Sequence, residues 1–263
     1  MDKRLEGISL RMALRSVADL AMPRTCVVCG RKLLLREEHI CTECEIGLPF
    51  TFFAKQRDNP MALAFNLMIQ REIESAGEDA SYEPFSFADS LIFYSGGSPY
   101  KNIPMRLKYG RDFAEGRLFA AMLGRDMASS PLFCDVDAVV PVPLHRMRRW
   151  RRGYNQAEVI AKAVADELGV RVEASLIKRV RSTRTQTRLQ RSQRYANVKS
   201  AFTADCSTLG KCRHLLLTDD VFTTGATLCA CERALRAALI DSFGPEEGRR
   251  TRISAATLAY VGR

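Results

Sequence analysis

The sequence predicts an α/β fold: a twisted, mostly parallel sheet flanked by helices, preceded by a small module built on four cysteines. Three observations lead there. From Ser90 onward, short β-rich runs alternate with helix-patterned stretches, the order that parallel strands with crossover helices require. Two CxxC pairs stand ahead of that alternation. The 263 residues are 46% hydrophobic and 27% charged, enough apolar material for a real core, which excludes a disordered tail, a collagen-like fibre or a mini-protein held by disulfides alone.

At the amino end, residues 8–22 place Ile8, Met12, Ser16 or Val17, and Leu20 at helical spacing. Arg11, Arg15 and Asp19 interrupt any unbroken apolar run, so the stretch reads as an amphipathic helix and not as an export signal. No apolar run approaches the ~20 residues of a membrane-spanning helix, and no membrane insertion is expected. A cytoplasmic location follows, where thiols stay reduced and clustered cysteines more often hold metal than form disulfides.

Of nine cysteines, Cys26, Cys29, Cys41 and Cys44 form CxxC-x11-CxxC. Each CxxC can bring two thiolates to one ion, and the intervening hairpin-length segment brings the second pair round. Four thiolates in tetrahedral geometry suit a structural Zn2+ with no open position. Two redox pairs, incidental buried thiols or an iron–sulfur cluster are the alternatives. His39 lies between the pairs as a bystander, and Cys134, Cys206, Cys212, Cys229 and Cys231 lack ligand spacing. Residues 1–54 are therefore expected to form a helix and a zinc module. Residues 55–88 would form a connector of mixed polar and helical character, broken near Ser75–Asp79, and 89–263 the α/β domain.

Within that domain Leu91–Tyr94 reads as a strand, stopped by Ser95-Gly96-Gly97-Ser98-Pro99. Residues 112–127 set Phe113, Leu118 or Phe119, Met122 or Leu123, and Met127 on one helical face. Ala138–Val142 is a buried strand, and Pro141 with Pro143 predicts a departure from regular geometry at its exit, since proline cannot donate to a ladder. A helix over 156–168, a strand at Leu215–Leu217, an alanine-rich helix over Ala226–Leu239 and a last strand at Ile253–Tyr260 complete the pattern.

The net charge of +10 is concentrated. Residues 144–157 hold Arg146, Arg148, Arg149, Arg151 and Arg152 and no acid; residues 174–204 hold eight bases and no acid; the rest carries 27 bases against 30 acids. Two cationic segments on a nearly neutral body imply a polyanionic ligand, phosphates on a small molecule or a nucleic-acid backbone. Aromatic residues among these arginines are few, namely Trp150, Tyr154 and Tyr195, so a base-stacking surface has weak support.

In such sheets ligands bind beyond the carboxyl ends of the strands. The residues after Leu217 read Thr218-Asp219-Asp220-Val221-Phe222-Thr223-Thr224-Gly225-Ala226-Thr227, then a helix. A strand delivers two carboxylates, a hydroxyl-rich turn with one glycine follows, and a helix N-terminus stands behind it. Free N–H groups and the helix dipole there make an anion site. Capping by a threonine would account for one or two hydroxyls and leaves the paired acids unexplained. A phosphate on the turn with hydroxyls on the acids suggests a sugar phosphate.

These thirteen residues, LLLTDDVFTTGAT, resemble the signature of type I phosphoribosyltransferases, which bind 5-phosphoribosyl-1-diphosphate (PRPP). The CxxC…CxxC module, the Leu107-Lys108-Tyr109 segment, VVPVPLHRMRRWRRGYNQA and TRTQTRLQRSQRYANVKSAF resemble the ComF family of bacterial competence-related proteins, over essentially the whole chain. The resemblance implies a phosphoribosyltransferase-like domain. Thr223, Thr224, Gly225, Ala226 and Thr227 would bind the 5-phosphate. The candidate catalytic acids Asp219 and Asp220 would hold the ribose 2- and 3-hydroxyls. Arg146 would face the pyrophosphate. Residues 181–199, with Arg184 and Arg188, would form a cationic hood that excludes water from an oxocarbenium-like sugar. Mg2+ would accompany PRPP. Two functions are expected from this: transfer of a phosphoribosyl group to an unknown acceptor with release of pyrophosphate, or a non-catalytic or PRPP-sensing accessory role in DNA uptake with contact to single-stranded DNA or DNA-uptake proteins.

Overall fold

The structure, a computed structural model, describes residues 23–77, 83–109, 113–145, 147, 149, 150, 153–180 and 201–262. The expected helix at 8–22, Arg146, and the 181–199 segment with Arg184 and Arg188 lie outside the described residues.

In chain order the described helices are α1 (Thr42–Ile46), α2 (Pro60–Ala76), α3 (Asn102–Tyr109), α4 (Phe113–Ala128), α5 (Gln156–Leu168), α6 (Ala226–Phe243) and α7 (Pro245–Arg250). The strands are β1 (Ala88–Phe93), β2 (Ala138–Pro141), β3 (Arg171–Val172), β4 (Ile177–Arg179), β5 (Phe202–Ala204), β6 (His214–Phe222) and β7 (Arg252–Tyr260). Five of them pair in parallel in the order β1-β7-β6-β2-β3. β4 and β5 form a separate antiparallel pair, with Val180 N–H donating to Ala201 O at 2.9 Å. This is the expected fold class: a mostly parallel sheet flanked by helices, with a four-cysteine group near the amino end.

Helices cover both faces. On one, Met61, Phe65, Ile69 and Ile73 of α2 and Leu228, Leu235 and Leu239 of α6 pack against Leu215, Leu217, Ile253 and Ala255. On the other, Phe119, Leu123 and Met127 of α4 and Ile160 and Val164 of α5 pack against Val139, Leu216, Ala256 and Leu258, and Val27, Val28, Ile40 and Leu48 of the cysteine module join that cluster.

α2 shows how local sequence sets the layer. Asn59 caps it by accepting from Ala62 N–H at 2.9 Å, Pro60 takes the first turn, and Gly77 ends it in the left-handed region at φ 70°. Its apolar positions recur every four residues, and burying each large side chain contributes about 1.5–3 kcal/mol. The Asn59 amide also donates to Ala88 O of β1 at 2.8 Å, which fixes the helix start to the sheet.

β1 spans Ala88–Phe93 where the sequence predicts Leu91–Tyr94, and the extents of β6 and β2 also differ from the sequence expectation. β6 runs beyond Leu217 to Phe222 because β7 pairs with it from His214–Arg252 to Phe222–Tyr260, so the two acids belong to the strand and not to the turn after it. β2 ends at Pro141, which still pairs with Thr218; Val142 N–H then donates to Thr218 O at 2.9 Å before the chain leaves the ladder.

The topology locates the crevice. β2 and β6 are neighbours. The chain leaving β2 forms α5 on one face and returns as β3 on the outer side; the chain leaving β6 forms α6 on the opposite face and returns as β7 on the other side. Successive connections diverge between these two strands, which makes their carboxyl ends the switch point where α/β sheets bind ligands.

Candidate functional site

The site is built from the carboxyl ends of β6 and β2. Thr218 is fully buried and its hydroxyl donates to Ala157 O of α5 at 3.4 Å, so Thr218 faces α5. Strand alternation then sends Asp219 towards α6, where its charge acts on the Cys231 thiol, and Asp220 back towards α5. Both acids are half-buried, and Asp219 Oδ1 accepts from Asp220 N–H at 2.8 Å. They occupy adjacent positions near the carboxyl end of β6.

Beyond them Thr223 and Thr224 are exposed, while Ala226 and Thr227 are half-buried in the first turn of α6. Gly225 begins that helix at φ 79° and offers no side-chain cap. A Cβ there would fall 2.6 Å from Phe222 Cζ and 3.1 Å from Met68 Sδ, so both dihedral and space demand glycine. Thr224 Oγ1 accepts from Ala226 N–H at 3.4 Å. The next first-turn N–H groups have no acceptor within the helix and point where the dipole favours an anion. Thr223 to Thr227, the five residues expected to hold a phosphate, thus lie on one short turn and the first turn of α6, just after the strand that carries Asp219 and Asp220.

Across the switch point, Asn155 Nδ2 donates to Val142 O at 3.0 Å, which ties the start of α5 to the end of β2. Between them Arg149 pairs with Glu158 at 3.1 Å, and Trp150 is 86% exposed.

The second site is the cysteine group. The Sγ atoms of Cys26, Cys29, Cys41 and Cys44 all lie within 4.8 Å of one another, with Cys29 and Cys41 at 3.8 Å. A tetrahedral ion with metal–sulfur bonds of about 2.3 Å requires sulfurs about 3.8 Å apart. Cys41 N–H donates to Cys26 Sγ and Cys44 N–H to Cys41 Sγ, both at 3.4 Å. Burial opposes ionisation of Cys41, yet the Cys44 N–H and the Arg31 guanidinium outweigh it and bring this thiol down to about 6. Burial and the Cys41 sulfur push Cys44 well up. The four-sulfur donor set and its spacing fit Zn2+ as a structural ion, whose charge would stabilise the thiolates.

Sequence reasoning missed the residues that hold this module together. Glu37 accepts from Leu34 N–H and Thr42 N–H at 2.8 Å each and from Arg31 at 2.9 Å, and the Leu34 and Thr42 amides hold its carboxyl down at about 2. Tyr100 OH donates to Cys44 O at 3.1 Å and Asn102 Nδ2 to Val28 O at 3.0 Å. No periodicity or motif marks these three.

Competence protein F of Haemophilus influenzae is 28% identical to this chain over 215 residues, which cover 80% of the chain and 90% of that protein. The DNA utilization protein YhgH of Salmonella typhi is 38% identical over 99 residues, 38% of this chain and 43% of that protein; its Escherichia coli K12 counterpart is 35% identical over the same length. Among solved structures, glutamine phosphoribosylpyrophosphate amidotransferase from B. subtilis aligns over 58% of this chain and 30% of its own, at 18% identity and a TM-score of 0.34. Adenine phosphoribosyltransferase from Leishmania tarentolae aligns over 61% and 74%, at 15% identity and 0.30. No family model matches the chain.

Proposed function

Taking the chain as a homologue of competence protein F, we propose that it binds PRPP with Mg2+ at the β6–α6 turn and transfers the phosphoribosyl group to an acceptor. The observation that carries this reading is the glycine-gated cradle at Gly225, opening on the same strand end as Asp219 and Asp220. The 5-phosphate accepts from the first-turn amides of α6 and the Thr223, Thr224 and Thr227 hydroxyls. The acids accept from the ribose hydroxyls and stabilise the positive charge that develops on the ring. Bound Mg2+ supplies charge neutralisation to the leaving pyrophosphate. The C1–oxygen bond breaks with its electron pair leaving on pyrophosphate, the acceptor's lone pair forms the new bond at C1, and the acceptor proton passes to solvent. The pyrophosphate calls for cationic charge, and the acid-free segments 144–157 and 174–204 are where the sequence concentrates it. The cytoplasm is the compartment this reading requires; no described helix is long and apolar enough to cross a membrane.

One observation favours a second reading: Trp150, the sole tryptophan, is 86% exposed among arginines, as a base-stacking contact to single-stranded DNA would need. In that case PRPP is sensed and not consumed.

Calorimetric titration of PRPP with Mg2+ should give a dissociation constant that rises roughly tenfold or more in a Thr223→Val, Thr224→Val double variant, the loss of about two hydrogen bonds to a charged group. Pyrophosphate release on adding a cellular metabolite pool separates transfer from sensing. A wild-type protein that shows no PRPP binding removes the proposal.

A further inference from the structure

The four-cysteine module and the switch point are joined by an unbroken line of contacts that the transferase reading does not use. It begins at the two knuckles: Asn102 Nδ2 donates to Val28 O inside the first CxxC, and Tyr100 OH donates to Cys44 O in the second. Gly47, just after α1, lies so close that a Cβ would stand 2.6 Å from the Tyr100 hydroxyl. Tyr100 and Asn102 sit on the single turn that opens α3. α3 is pressed onto α4: a Cβ on Gly116 would fall 2.2 Å from Leu107 Cδ1, and Leu107 is 2% exposed. Leu107 O in turn accepts from the Tyr154 hydroxyl. Tyr154 immediately precedes Asn155, whose side chain holds Val142 O at the end of β2 and caps α5 through Ala157 N–H at 3.2 Å.

Each step is a side chain gripping a backbone carbonyl or a helix packed without slack. Such contacts transmit displacement because packed elements shift as units and do not deform smoothly. The two carbonyls belong to the knuckle loops themselves, which close around four sulfurs lying within 4.8 Å of one another, so a metal held there would fix them.

We propose that metal occupancy of the cysteine module sets the geometry of the chain between β2 and α5, with α3 as the lever and Tyr154 as the positioning residue that delivers it. The module then does more than fold the amino end: it holds one wall of the switch point. This rests on the PRPP reading only for its consequence at the ligand, a weaker hold on PRPP in the metal-free protein.

The test is amide hydrogen exchange on the full chain, zinc-loaded and after removal of zinc by a chelator. Removal should speed exchange within residues 99–109 and 153–157 and leave residues 226–243 of α6 unchanged. Tyr154→Phe keeps the ring and removes the hydroxyl; in it, zinc removal should still loosen 99–109 but no longer 153–157. Should metal-free protein unfold globally, Asn102→Ala with zinc retained provides the same information, loosening 153–157 without loss of metal. Unchanged exchange at 153–157 on zinc removal, or a change that survives Tyr154→Phe, overturns the proposal. Titration of PRPP with Mg2+ reads the consequence: the dissociation constant should rise roughly 5- to 20-fold without zinc. Equal affinity in both forms also overturns it, whereas binding in neither form defeats the PRPP reading and leaves the lever to be decided by exchange.

Discussion

The two ends of β6 are built from similar polar residues and arranged in opposite ways. At the amino end, His214 is fully buried. Its Nδ1 lies 2.7 Å from Asp135 Oδ1, and its Nε2 lies 2.7 Å from Ser254 Oγ, which accepts from Phe87 N–H at 3.0 Å. Phe133 stacks on the imidazole at 6.3 Å, and Arg252 lies over Phe87 while pairing with Asp135 at 3.5 Å. A serine, a histidine and an aspartate in line have the order of a hydrolytic triad. Yet both Ser254 and His214 are 0% exposed, so no substrate reaches the hydroxyl. At the carboxyl end the acids are half-buried, the threonines exposed, and the helix behind them starts on a glycine without a side-chain cap. The difference separates two uses of polarity. Groups closed on one another fix strand register; groups partly exposed at a switch point stand where a ligand can reach them.

The sharpest way to break the comparison is at the closed end. His214→Ala removes the acceptor for Ser254 and the donor for Asp135, and opens a void under Phe133. The expected loss is about 3 kcal/mol, a fall in melting temperature of roughly 5–10 °C. A shift under about 2 °C would show that the network is ornamental. Acid reads the same network without a cavity. Burial holds the His214 pKa below its usual value, and Asp135, despite burial, is held below its own by the hydrogen bond to His214. The unfolded chain therefore takes up protons first. The network's stability is present above the ordinary histidine pKa of about 6.5 and is lost as pH falls through it towards the carboxylate range. Asp89 works in the other sense: burial raises it to about 8, so its contribution is lost as pH rises towards that value. The clean measurement is the difference in melting temperature between wild type and His214→Ala. That difference should shrink as pH is lowered from 7 to 4, and one that stays constant would refute the histidine's role.

What was legible in the sequence follows the same division. Apolar strands and alternating helices announced the parallel sheet, since the run Leu215–Leu217 and the helical pattern over 156–168 need no tertiary information, whereas α2 fell within the stretch expected to be a connector. The strand–turn–helix around Gly225 was legible because a glycine, hydroxyls and paired acids stand there in a fixed order after an apolar strand. The length of β6 was not, because Asp219 and Asp220 have poor strand propensity and are held in register by β7. α3 was illegible for a related reason: Asn102–Tyr109 is a short helix with a proline at position 104, stabilised by Leu107 against α4 and by its hold on the knuckles. Side chains such as Glu37, Tyr100 and Tyr154 work through carbonyls and amides far away in sequence, and no local pattern encodes such partners.

The smallest expected effect is the one that makes the comparison complete. Asp220→Asn keeps the shape of the open end and removes one charge. Asp220 sits at the margin of the sheet, half exposed, where a substitution away from core packing shifts stability by no more than about 0.5 kcal/mol. The unfolding midpoint should therefore stay within about 2 °C of wild type. PRPP affinity should nonetheless fall by roughly tenfold, because a neutral amide is a weaker acceptor for ribose hydroxyls than a carboxylate and its N–H2 group meets a hydroxyl in the wrong sense. Stability unchanged with affinity lost is the mark of a ligand-facing group, the reverse of what His214 should show. A large drop in midpoint would mean that Asp220 is a structural acid after all, and the open end of β6 would then be closed by a partner within the fold.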